Sequence, residues 1–261
     1  MSSSINTILL IGATSGIGEA FAHRFHAMGK KVVASGRRQD RLDKLKQALP
    51  GLETYRMDNT NFVSLPSNVD HIMKQYPDIN TVWVNSGMQD SSDFKDLSST
   101  TDADIINEIN INSTAPTLLA RHFIPHLLKS GSEANFMITS SGIGFTPISL
   151  FATYGASKAH THHLLVALRQ QLKGTNVNVW ELVAPYVGPT ELNEKLTKNP
   201  PPMMKNFKPM PLEEFVDAVV QELEEKKASE IKEIAPGSAK GRVDAWRASI
   251  GKVLEKMGLG G

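Results

Sequence analysis

Cysteine is absent from the 261-residue sequence, which excludes disulfide bonds, cysteine-ligated zinc and thiol catalysis. Long apolar runs are also missing, because no stretch approaches the ~20 residues that a membrane-spanning helix needs. Charge of one sign is not in excess: the net charge is +1, and no basic cluster offers a surface for nucleic acid. We therefore expect a protein that binds neither nucleic acid nor membrane.

The amino terminus has little in common with a targeting signal. The stretch MSSSINTILLIG lacks the basic segment, the apolar core and the cleavage site of a secretory signal, and its apolar part, Ile8 to Ile11, is only as long as a strand. We expect a cytoplasmic protein. With 40% hydrophobic residues and neither an internal repeat nor a linker, residues 1–261 are predicted to form one globular domain.

Short apolar runs alternate along the chain with longer segments of helical period. The runs are almost continuously apolar, as expected for strands that are buried on both faces of a parallel sheet. The alternation predicts an α/β fold, a Rossmann-like doubly wound parallel sheet of about seven strands flanked by helices. Strands are predicted at 5–12, 30–36, 52–58, 79–85, 134–140 and 176–183, with a shorter one near 230–235. Helices are predicted at 16–29, 39–48, 61–75 (bent or delayed by Pro66), 101–129, 151–173, 211–226 and near 240–257.

One segment breaks this alternation. Residues 188–211, GPTELNEKLTKNPPPMMKNFKPMP, are rich in Pro, Lys and Met and too irregular for a packed layer. We predict a long loop over the surface, and loops of this length are usually functional or mobile. Its methionines, Met203, Met204 and Met210, are predicted either to line a pocket or to pack the loop itself.

A glycine cluster directly follows the first predicted strand and opens a helix. Gly12, Gly16 and Gly18 lie in the stretch LLIGATSGIGEAF. Glycine lets the backbone turn sharply and approach a pyrophosphate without a Cβ in the way, and the N-terminus of the following helix favours negative charge. This context indicates a dinucleotide-binding turn, and the alternative is a tight turn without a ligand. The spacing is G-x-x-x-G-x-G, not the more usual G-x-G-x-x-G.

A tyrosine and a lysine lie four positions apart in YGASKAH, residues 154–160. Alone, they could be ordinary surface residues of a helix. Together, GATSGIG and YGASK resemble the short-chain dehydrogenase/reductase family, and the resemblance runs in order along essentially the whole chain. In that family the tyrosine is the general acid/base, a serine lies thirteen residues before it, and an asparagine lies on the preceding long helix. The resemblance therefore implies the catalytic residues Tyr154, Lys158, Ser141 and Asn112, with Ser140 and Asn110 as alternatives to the last two.

The chemistry of carbonyl reduction explains these residue types. Hydride transfer to a ketone leaves an alkoxide that must be protonated. Tyr154 would donate the proton, and Lys158, on the same helical face, would lower the tyrosine pKa by ~2 to 3 units. By resemblance, Lys158 would also bind the nicotinamide ribose, Ser141 would donate to the carbonyl oxygen, and Asn112 would hold a water that relays protons to solvent.

The end of the second strand indicates which nucleotide binds. An acidic residue there would bind the adenosine ribose of NAD, but Gly36, Arg37 and Arg38 occupy the place. Because a guanidinium suits a 2′-phosphate, NADP(H) is favoured over NAD(H); the alternative is that both arginines merely face solvent. Asp58, with Asn59 beside it, matches the aspartate that contacts adenine in the family.

Two stretches depart from the family pattern. In VWVNSGM, Val84 and Ser86 replace the usual asparagine and alanine, which puts in doubt the hydrogen bonds that brace this strand. In LVAPYVGPTEL, Tyr186 replaces the usual glycine and suggests a narrowed or aromatic-lined pocket. The other implied cofactor contacts are Gly12, Thr14, Ser15, Gly16, Ile17, Gly18, Asn85, Ser86, Gly87, Tyr154, Lys158, Pro185, Val187 and Thr190.

The resulting hypothesis is a reversible, NADPH-dependent reduction of a small ketone or aldehyde to an alcohol, with the loop 188–211 closing over the substrate. The alternatives are epimerase or dehydratase chemistry that retains the nucleotide, and a non-enzymatic nicotinamide-sensing protein. His122 and His126 share a helical face but lack a third ligand, so no metal site is predicted. By resemblance alone, the helices that carry Asn112 and Tyr154 would form a homodimer or homotetramer.

Overall fold

The centre of the protein is a sheet of seven parallel strands. The computed structural model describes residues 4–194, 198 and 201–260. The strands, with two short ones outside this sheet, are β1 Thr7–Ile11, β2 Lys31–Gly36, β3 Glu53–Arg56, β4 Thr81–Val84, β5 Ala134–Ser141, β6 Val177–Ala184, β7 Val187–Gly188, β8 Met210–Pro211 and β9 Glu233–Ile234. Their order in the sheet is β3-β2-β1-β4-β5-β6-β9. Strand order reverses between β1 and β4, so the sheet is doubly wound and the predicted α/β fold class is confirmed.

Helices connect the strands close to the predicted positions. The third helix begins at Leu65 and has Pro66 in its first turn, so the proline delays the helix and does not bend it. Within the described ranges, no helix has the length and apolar character needed to cross a membrane. The helices are α1 Gly16–Ala27, α2 Gln39–Ala48, α3 Leu65–Gln75, α4 Asp102–Ile109, α5 Ala115–Lys129, α6 Ala152–Gln171, α7 Leu212–Glu225, α8 Ala239–Trp246 and α9 Lys252–Lys256.

The helix predicted at 101–129 is interrupted. Thr101 caps α4 through reciprocal bonds with Asp104, and a π-helical turn, Asn110–Thr114, joins α4 to α5. Such turns occur mostly as single insertions at functional sites. This one contains Asn112, so the irregularity lies at a predicted catalytic residue.

Both faces of the sheet are buried, which explains the continuously apolar strands. Trp83 of β4 points to one face, where its ring lies 4.6 Å from that of Phe21 in α1, and Phe215 of α7 packs against the same cluster. Val82 points to the other face and packs with Leu119 of α5. Successive strand residues face opposite sides, so both kinds of position must be apolar here.

The loop 188–211 is held at both ends rather than lying loosely on the surface. β7 and β8 pair in parallel, with Val187 beside Met210. Met204 is only 7% exposed and packs against Tyr154 and Phe151. Of the two predictions for the methionines, Met204 therefore supports pocket lining. Residues 195–197 and 199–200, and the side chain of Met203, lie outside the described part of the chain.

A buried charge network joins α6, β6 and β9. Arg169 pairs with Glu233 at 2.8 Å, Arg247 pairs with the same carboxylate, and Glu181 accepts a hydrogen bond from His162 over 2.8 Å. Ligand atoms of His162, Glu181 and Glu233 lie within 4.8 Å of one another, as they would around a metal ion. Because two guanidiniums already compensate this negative charge, we assign the network a structural role.

Candidate active site

A cavity of about 560 Å³ opens at the carboxyl ends of the central strands, the edge at which ligands bind in open α/β sheets. Three predicted site residues do not line it: Gly18, Asp58 and Asn112. The predicted residues that do line it are Gly12, Thr14, Ser15, Gly16, Ile17, Arg37, Arg38, Asn59, Asn85, Ser86, Gly87, Ser141, Tyr154, Lys158, Pro185, Val187 and Thr190.

The glycine turn is too tightly packed for side chains. Gly12 has a φ of +91°, and a Cβ there would come within 2.6 Å of the backbone nitrogen of Ser86. A Cβ on Gly18 would lie 2.0 Å from the carbonyl oxygen of Gly12. Because Gly12 has no Cβ, its backbone can pack directly against Ser86 in the cavity wall. Gly18 packs against Gly12 and does not line the cavity.

Tyr154 and Ser141 meet inside the cavity. Tyr154 lies in the first turn of α6, Ser141 is the last residue of β5, and both side chains line the cavity. Ser141 also donates to the carbonyl of Ala184 at 3.3 Å. Ser140, the alternative, donates to Glu181 over 2.5 Å. Both serines line the cavity, but the hydroxyl of Ser140 is bonded to Glu181, so Ser141 is the serine available to Tyr154.

Burial raises the pKa of Tyr154, although the nearby hydroxyl of Ser141 acts in the opposite direction. Burial therefore acts against the lowering of this pKa that was predicted from the charge of Lys158. Lys158 donates to the carbonyl of Thr139 at 2.9 Å, and its Nζ lies 5.6 Å from the centre of the Tyr154 ring. The hydroxyl thus stays protonated, which is the form that can donate a proton to a carbonyl.

Lys158 is a buried cation, with 4% of its surface exposed. Burial lowers its pKa to about 8, while the carboxylates of Glu108 and Glu181 favour the charged form. A Cβ at Gly87 would lie 3.5 Å from Nζ, so the glycine leaves the ammonium accessible from the cavity. Whether Lys158 carries its proton near pH 8 therefore depends on the carboxylates of Glu108 and Glu181.

Asn112 holds the segment that follows β4. Its Oδ1 accepts from the backbone nitrogen of Met88 at 3.0 Å, and its Nδ2 donates to the carbonyl of Met88 at 2.8 Å. Asn110, the alternative, accepts a bond from Thr114 within its own helix. The geometry gives Asn112 a positioning role next to the cavity, and the water relay stays a prediction.

Glu108 is a site residue that the sequence reasoning missed. It is 2% exposed, and its Oε1 accepts from the backbone nitrogen of Asp90 at 3.0 Å. Burial raises its pKa to about 7, and the hydrogen bond from Asp90 and the charge of Lys158 oppose this shift. Its position four residues before Asn112 was the available signal, because both side chains bind the same segment after β4.

Two arginines converge on the glycine turn. Arg38 donates to the hydroxyl of Ser15 at 2.7 Å and to that of Thr14 at 3.0 Å, and it pairs with Glu191 at 3.0 Å. Arg41, which the sequence reasoning left out, donates to the carbonyl of Thr14 at 3.2 Å and also pairs with Glu191. Its spacing of one helical turn from Arg38 was the signal that could have found it.

Of the two predicted adenine contacts, Asp58 and Asn59, only Asn59 lines the cavity. The carboxylate of Asp58 accepts from the nitrogen and the hydroxyl of Thr60, at 3.0 and 2.7 Å, and lies outside the cavity lining. Asn59 does line the cavity and donates to Ser86 at 2.6 Å. Arg37 lines it as an exposed cation.

The strand that carries Val84 is braced by other residues. Trp83 donates from its indole to Thr139 at 2.8 Å, Thr139 donates to Asn85 at 2.9 Å, and Asn85 donates to the carbonyl of Gly12 at 3.3 Å. Val84 itself is fully buried in the core. This chain of hydrogen bonds replaces the bracing that the substitution put in doubt.

The segment after β6 forms the remaining wall. Tyr186 packs with Phe151, Tyr154 and Met204, so the cavity is lined by aromatic side chains where the sequence suggested it. The hydroxyl of Thr190 is buried and has no hydrogen-bond partner among residues 4–194, 198 and 201–260. A buried hydroxyl without a partner is costly, which suits a polar ligand group at this point.

These features fit a dinucleotide. The glycine turn admits a pyrophosphate at the N-terminus of α1, the Thr190 hydroxyl suits a carboxamide, and Arg37 and Arg38 suit a phosphate at the far end. Lys158 lines the same cavity.

Known proteins resemble this chain in sequence and in structure. A protein-family model described as short chain dehydrogenase matches residues 6–201. The oxidoreductase DltE of Bacillus subtilis (strain 168) is 33% identical over 252 residues, which cover 97% of this chain and 96% of that protein. The NADP-dependent 3-hydroxy acid dehydrogenase YdfG of Salmonella typhi is 29% identical over 187 residues, 71% of this chain and 74% of that protein. A solved structure of a short-chain dehydrogenase from Sphingobium yanoikuyae in complex with NADPH is 26% identical, with a TM-score of 0.80, and covers 96% of this chain and 95% of that one.

Proposed function

Because the chain belongs to the short-chain dehydrogenase family, we propose that it catalyses the reversible, NADPH-dependent reduction of a ketone or aldehyde to an alcohol. One observation carries this proposal. Tyr154 and Ser141 line one cavity together with Lys158 and an intact dinucleotide turn. These groups together supply a proton donor, a donor to the carbonyl oxygen and a buried positive charge.

Tyr154 donates the proton in the direction of reduction. A bound NADPH supplies the hydride, two electrons and one hydrogen, to the carbonyl carbon and is left as NADP⁺. The Tyr154 hydroxyl gives its proton to the carbonyl oxygen, so the product is a neutral alcohol. Ser141 donates a hydrogen bond to the same oxygen and orients it toward the tyrosine.

Lys158 stabilises the tyrosinate that proton transfer leaves behind. Its ammonium is buried, and an opposite charge in a buried site favours the ionised phenol strongly. The proton must then return to Tyr154 from solvent. We assign this path to Lys158 and to a water held at Asn112, as the family resemblance implies.

NADP(H) is the cofactor. Arg37 and Arg38 lie in the cavity where a 2′-phosphate would bind, and the end of β2 provides no carboxylate to repel it. The Salmonella relative is named as NADP-dependent, and the Sphingobium structure holds NADPH. The physical reason for the preference is the charge of these two guanidiniums.

The loop 188–211 bounds the substrate side of the cavity. Met204 and Phe207 both line the cavity, and Met204 packs directly on Tyr154. The β7–β8 pair fixes the two ends of the loop. We assign the loop the role of a cover that excludes water from the reacting carbonyl.

A second copy of this chain is the proposed partner. An apolar groove lies along α4, α5 and α6, where Phe94 is 72% exposed and Ile109 is 42% exposed, beside the small residues Ala152 and Ala156. Small side chains let helices of two subunits approach closely. Light scattering should give twice or four times the monomer mass of 28.6 kDa, and Ala156→Arg should give the monomer mass.

Replacing Tyr154 with phenylalanine tests the proposed reaction. Tyr154→Phe removes only the donating hydroxyl, so turnover of NADPH with a reactive ketone should fall by about 10²- to 10⁴-fold. Binding of NADPH, followed by calorimetry, should change little. Tyr76→Phe, in a tyrosine outside the cavity, is the matched control.

A panel of ketones, aldehydes and secondary alcohols with NADPH and NADH selects the substrate for this test. Turnover of Tyr154→Phe within fivefold of the wild type would contradict the role of Tyr154. Tight NADPH binding without any change in its absorbance across the panel would instead favour chemistry that retains the nucleotide.

A further inference from the structure

The substrate end of the cavity contains an arginine that the proposed reaction does not use. Arg242 lies on α8, and its side chain lines the cavity beside Gly142. A Cβ at Gly142 would come within 3.2 Å of Cδ and 3.3 Å of Nη1 of Arg242. Because Gly142 directly follows Ser141, this guanidinium lies close to the residue that orients the carbonyl oxygen.

The charge of Arg242 is not compensated within the described protein. In the ranges 4–194, 198 and 201–260, no residue hydrogen-bonds or ion-pairs with its guanidinium. Arg38, beside the glycine turn, is paired with Glu191, and Arg247, on the same helical segment as Arg242, is paired with Glu233. A half-buried guanidinium without a carboxylate is unfavourable, and an anionic ligand would remove that cost.

The surroundings of Arg242 favour a small organic anion over a simple inorganic one. The wall next to Gly142 is apolar and is formed by Ile143, Ile148, Phe151 and Met204. The cavity lining contains three carboxylates, and each is placed or paired away from Arg242: Asp90 follows β4, Glu191 is held by two arginines, and Glu194 pairs with Lys198. A ligand here needs an anionic group for Arg242 and an apolar part for this wall.

We propose that Arg242 binds a carboxylate of the substrate, so that the enzyme acts on oxo acids and the corresponding hydroxy acids. The inference rests on the proposed carbonyl reduction and names its substrate class. A guanidinium holds a carboxylate through two parallel N–H···O bonds, which fix its orientation. The carboxylate stays unchanged while the ketone gains a hydride at carbon and a proton from Tyr154 at oxygen.

Matched pairs of acid and ester test this assignment. Pyruvate and methyl pyruvate, and acetoacetate and methyl acetoacetate, carry the same ketone and differ in charge. The wild type should have the higher kcat/KM for the acid of at least one pair. Arg242→Gln should lower the acid-to-ester ratio of kcat/KM by about tenfold or more, since a hydrogen bond to a charged group is lost. Arg242→Lys should lower it less.

Lys240→Gln is the matched control, because Lys240 lies on the same helix, is exposed and pairs with Asp244. Its acid-to-ester ratio should equal that of the wild type. If esters and acids are reduced equally well and Arg242→Gln leaves the ratio unchanged, the carboxylate site is wrong while carbonyl reduction stands.

A binding measurement separates the two proposals if no compound is reduced. Calorimetry with the NADPH-saturated protein and 3-hydroxybutyrate should give a Kd that Arg242→Gln raises by about tenfold or more. Equal binding by both proteins would overturn the inference. The melting temperatures of Arg242→Gln and Arg242→Lys show whether α8 remains folded. If Arg242→Gln does not fold, the same binding measurement is made with Arg242→Lys.

Discussion

The guanidinium of Arg38 lies 3.0 Å from the carboxylate of Glu191, and this ion pair joins the end of β2 to the start of the loop 188–211. Arg41 pairs with the same carboxylate. Hydrogen bonds from Arg41 and Arg38 hold the pKa of Glu191 below its usual range, so the group stays ionised at neutral pH. A carboxylate of the protein therefore pairs with Arg38, one of the two arginines that a 2′-phosphate would contact.

Replacing Glu191 with glutamine should strengthen binding of the phosphorylated nucleotide. A 2′-phosphate must compete with this carboxylate for Arg38, and an exposed charge pair contributes up to about 1 kcal/mol, or about fivefold. Calorimetry should show a Kd for 2′,5′-ADP lower by about threefold to fivefold in Glu191→Gln, with little change for 5′-AMP. Asp217→Asn, which breaks the exposed Arg24 pair, is the control. Equal affinity of Glu191→Gln and wild type for 2′,5′-ADP would show that Glu191 does not compete.

The rate of reduction should fall as pH rises through about 8, because the pKa of Lys158 lies there in the folded protein. Above this pH the ammonium loses its proton and no longer stabilises the tyrosinate. The profile of kcat/KM against pH, which reports groups of the free enzyme, is the measurement. A flat profile between pH 7 and 9.5 would contradict the assignment.

The stability of the protein should not fall together with its activity as pH rises above about 8. The folded pKa of Lys158 is below its ordinary value of 10.5, so burying the ammonium costs stability in full below pH about 8. This cost disappears as pH rises from about 8 toward 10.5, so the contribution of Lys158 to stability improves while activity falls. Melting temperatures over the same pH range distinguish loss of charge from unfolding.

Glu108→Gln should change two pH dependences. Because burial raises the pKa of Glu108 from 4.5 to about 7, the folded protein keeps a proton that the unfolded chain releases. This group's contribution to stability therefore declines as pH rises from about 4.5 to 7, and the substitution should remove that decline. The ionised carboxylate also favours the ammonium of Lys158, so the fall in kcat/KM should move below pH about 8.

Glu213→Gln, in an exposed position of α7, is the control for Glu108→Gln and should leave both profiles unchanged. An unchanged profile of kcat/KM in Glu108→Gln would show that Glu108 does not influence Lys158.

Gly18→Ala should destabilise the dinucleotide turn. The added Cβ would lie 2.0 Å from the carbonyl oxygen of Gly12, so the backbone must shift, at a cost of about 1 to 3 kcal/mol. Gly241→Ala is the matched control, because nothing lies within 4 Å of its Cβ position and alanine is favoured in a helix by about 1 kcal/mol. Thermal unfolding and NADP⁺ binding measure both changes. A Gly18→Ala protein as stable as the wild type would contradict this packing.

The fold was predictable because its signals are local. Strands buried on both faces need continuous apolar runs, and Pro66 restricts where a helix can begin. Gly12 and Gly18 follow the first strand directly, and the spacing of Tyr154 and Lys158 is one helical turn. None of these inferences needs a contact between distant parts of the chain.

The pKa of Tyr154 was not predictable in the same way. The direction of its pKa shift depends on whether burial outweighs the effect of a nearby charge. That balance is a property of the packed cavity. The place of Asp58 outside the cavity likewise follows from its bonds to Thr60, which turn the carboxylate away. The role of Glu108 at the site can be recognised only from the contact between α4 and the segment after β4.

The sequence by itself determined the doubly wound sheet, the dinucleotide turn and the pair of Tyr154 and Lys158, since each is set by residues that are neighbours in the chain. Only the tertiary structure decided that Glu191 forms an ion pair with Arg38 and that Arg242 lies beside Gly142. These pairs are separated by 100 residues or more in sequence. Such contacts exist only after the core has packed, because hydrophobic burial and not local spacing brings the segments together.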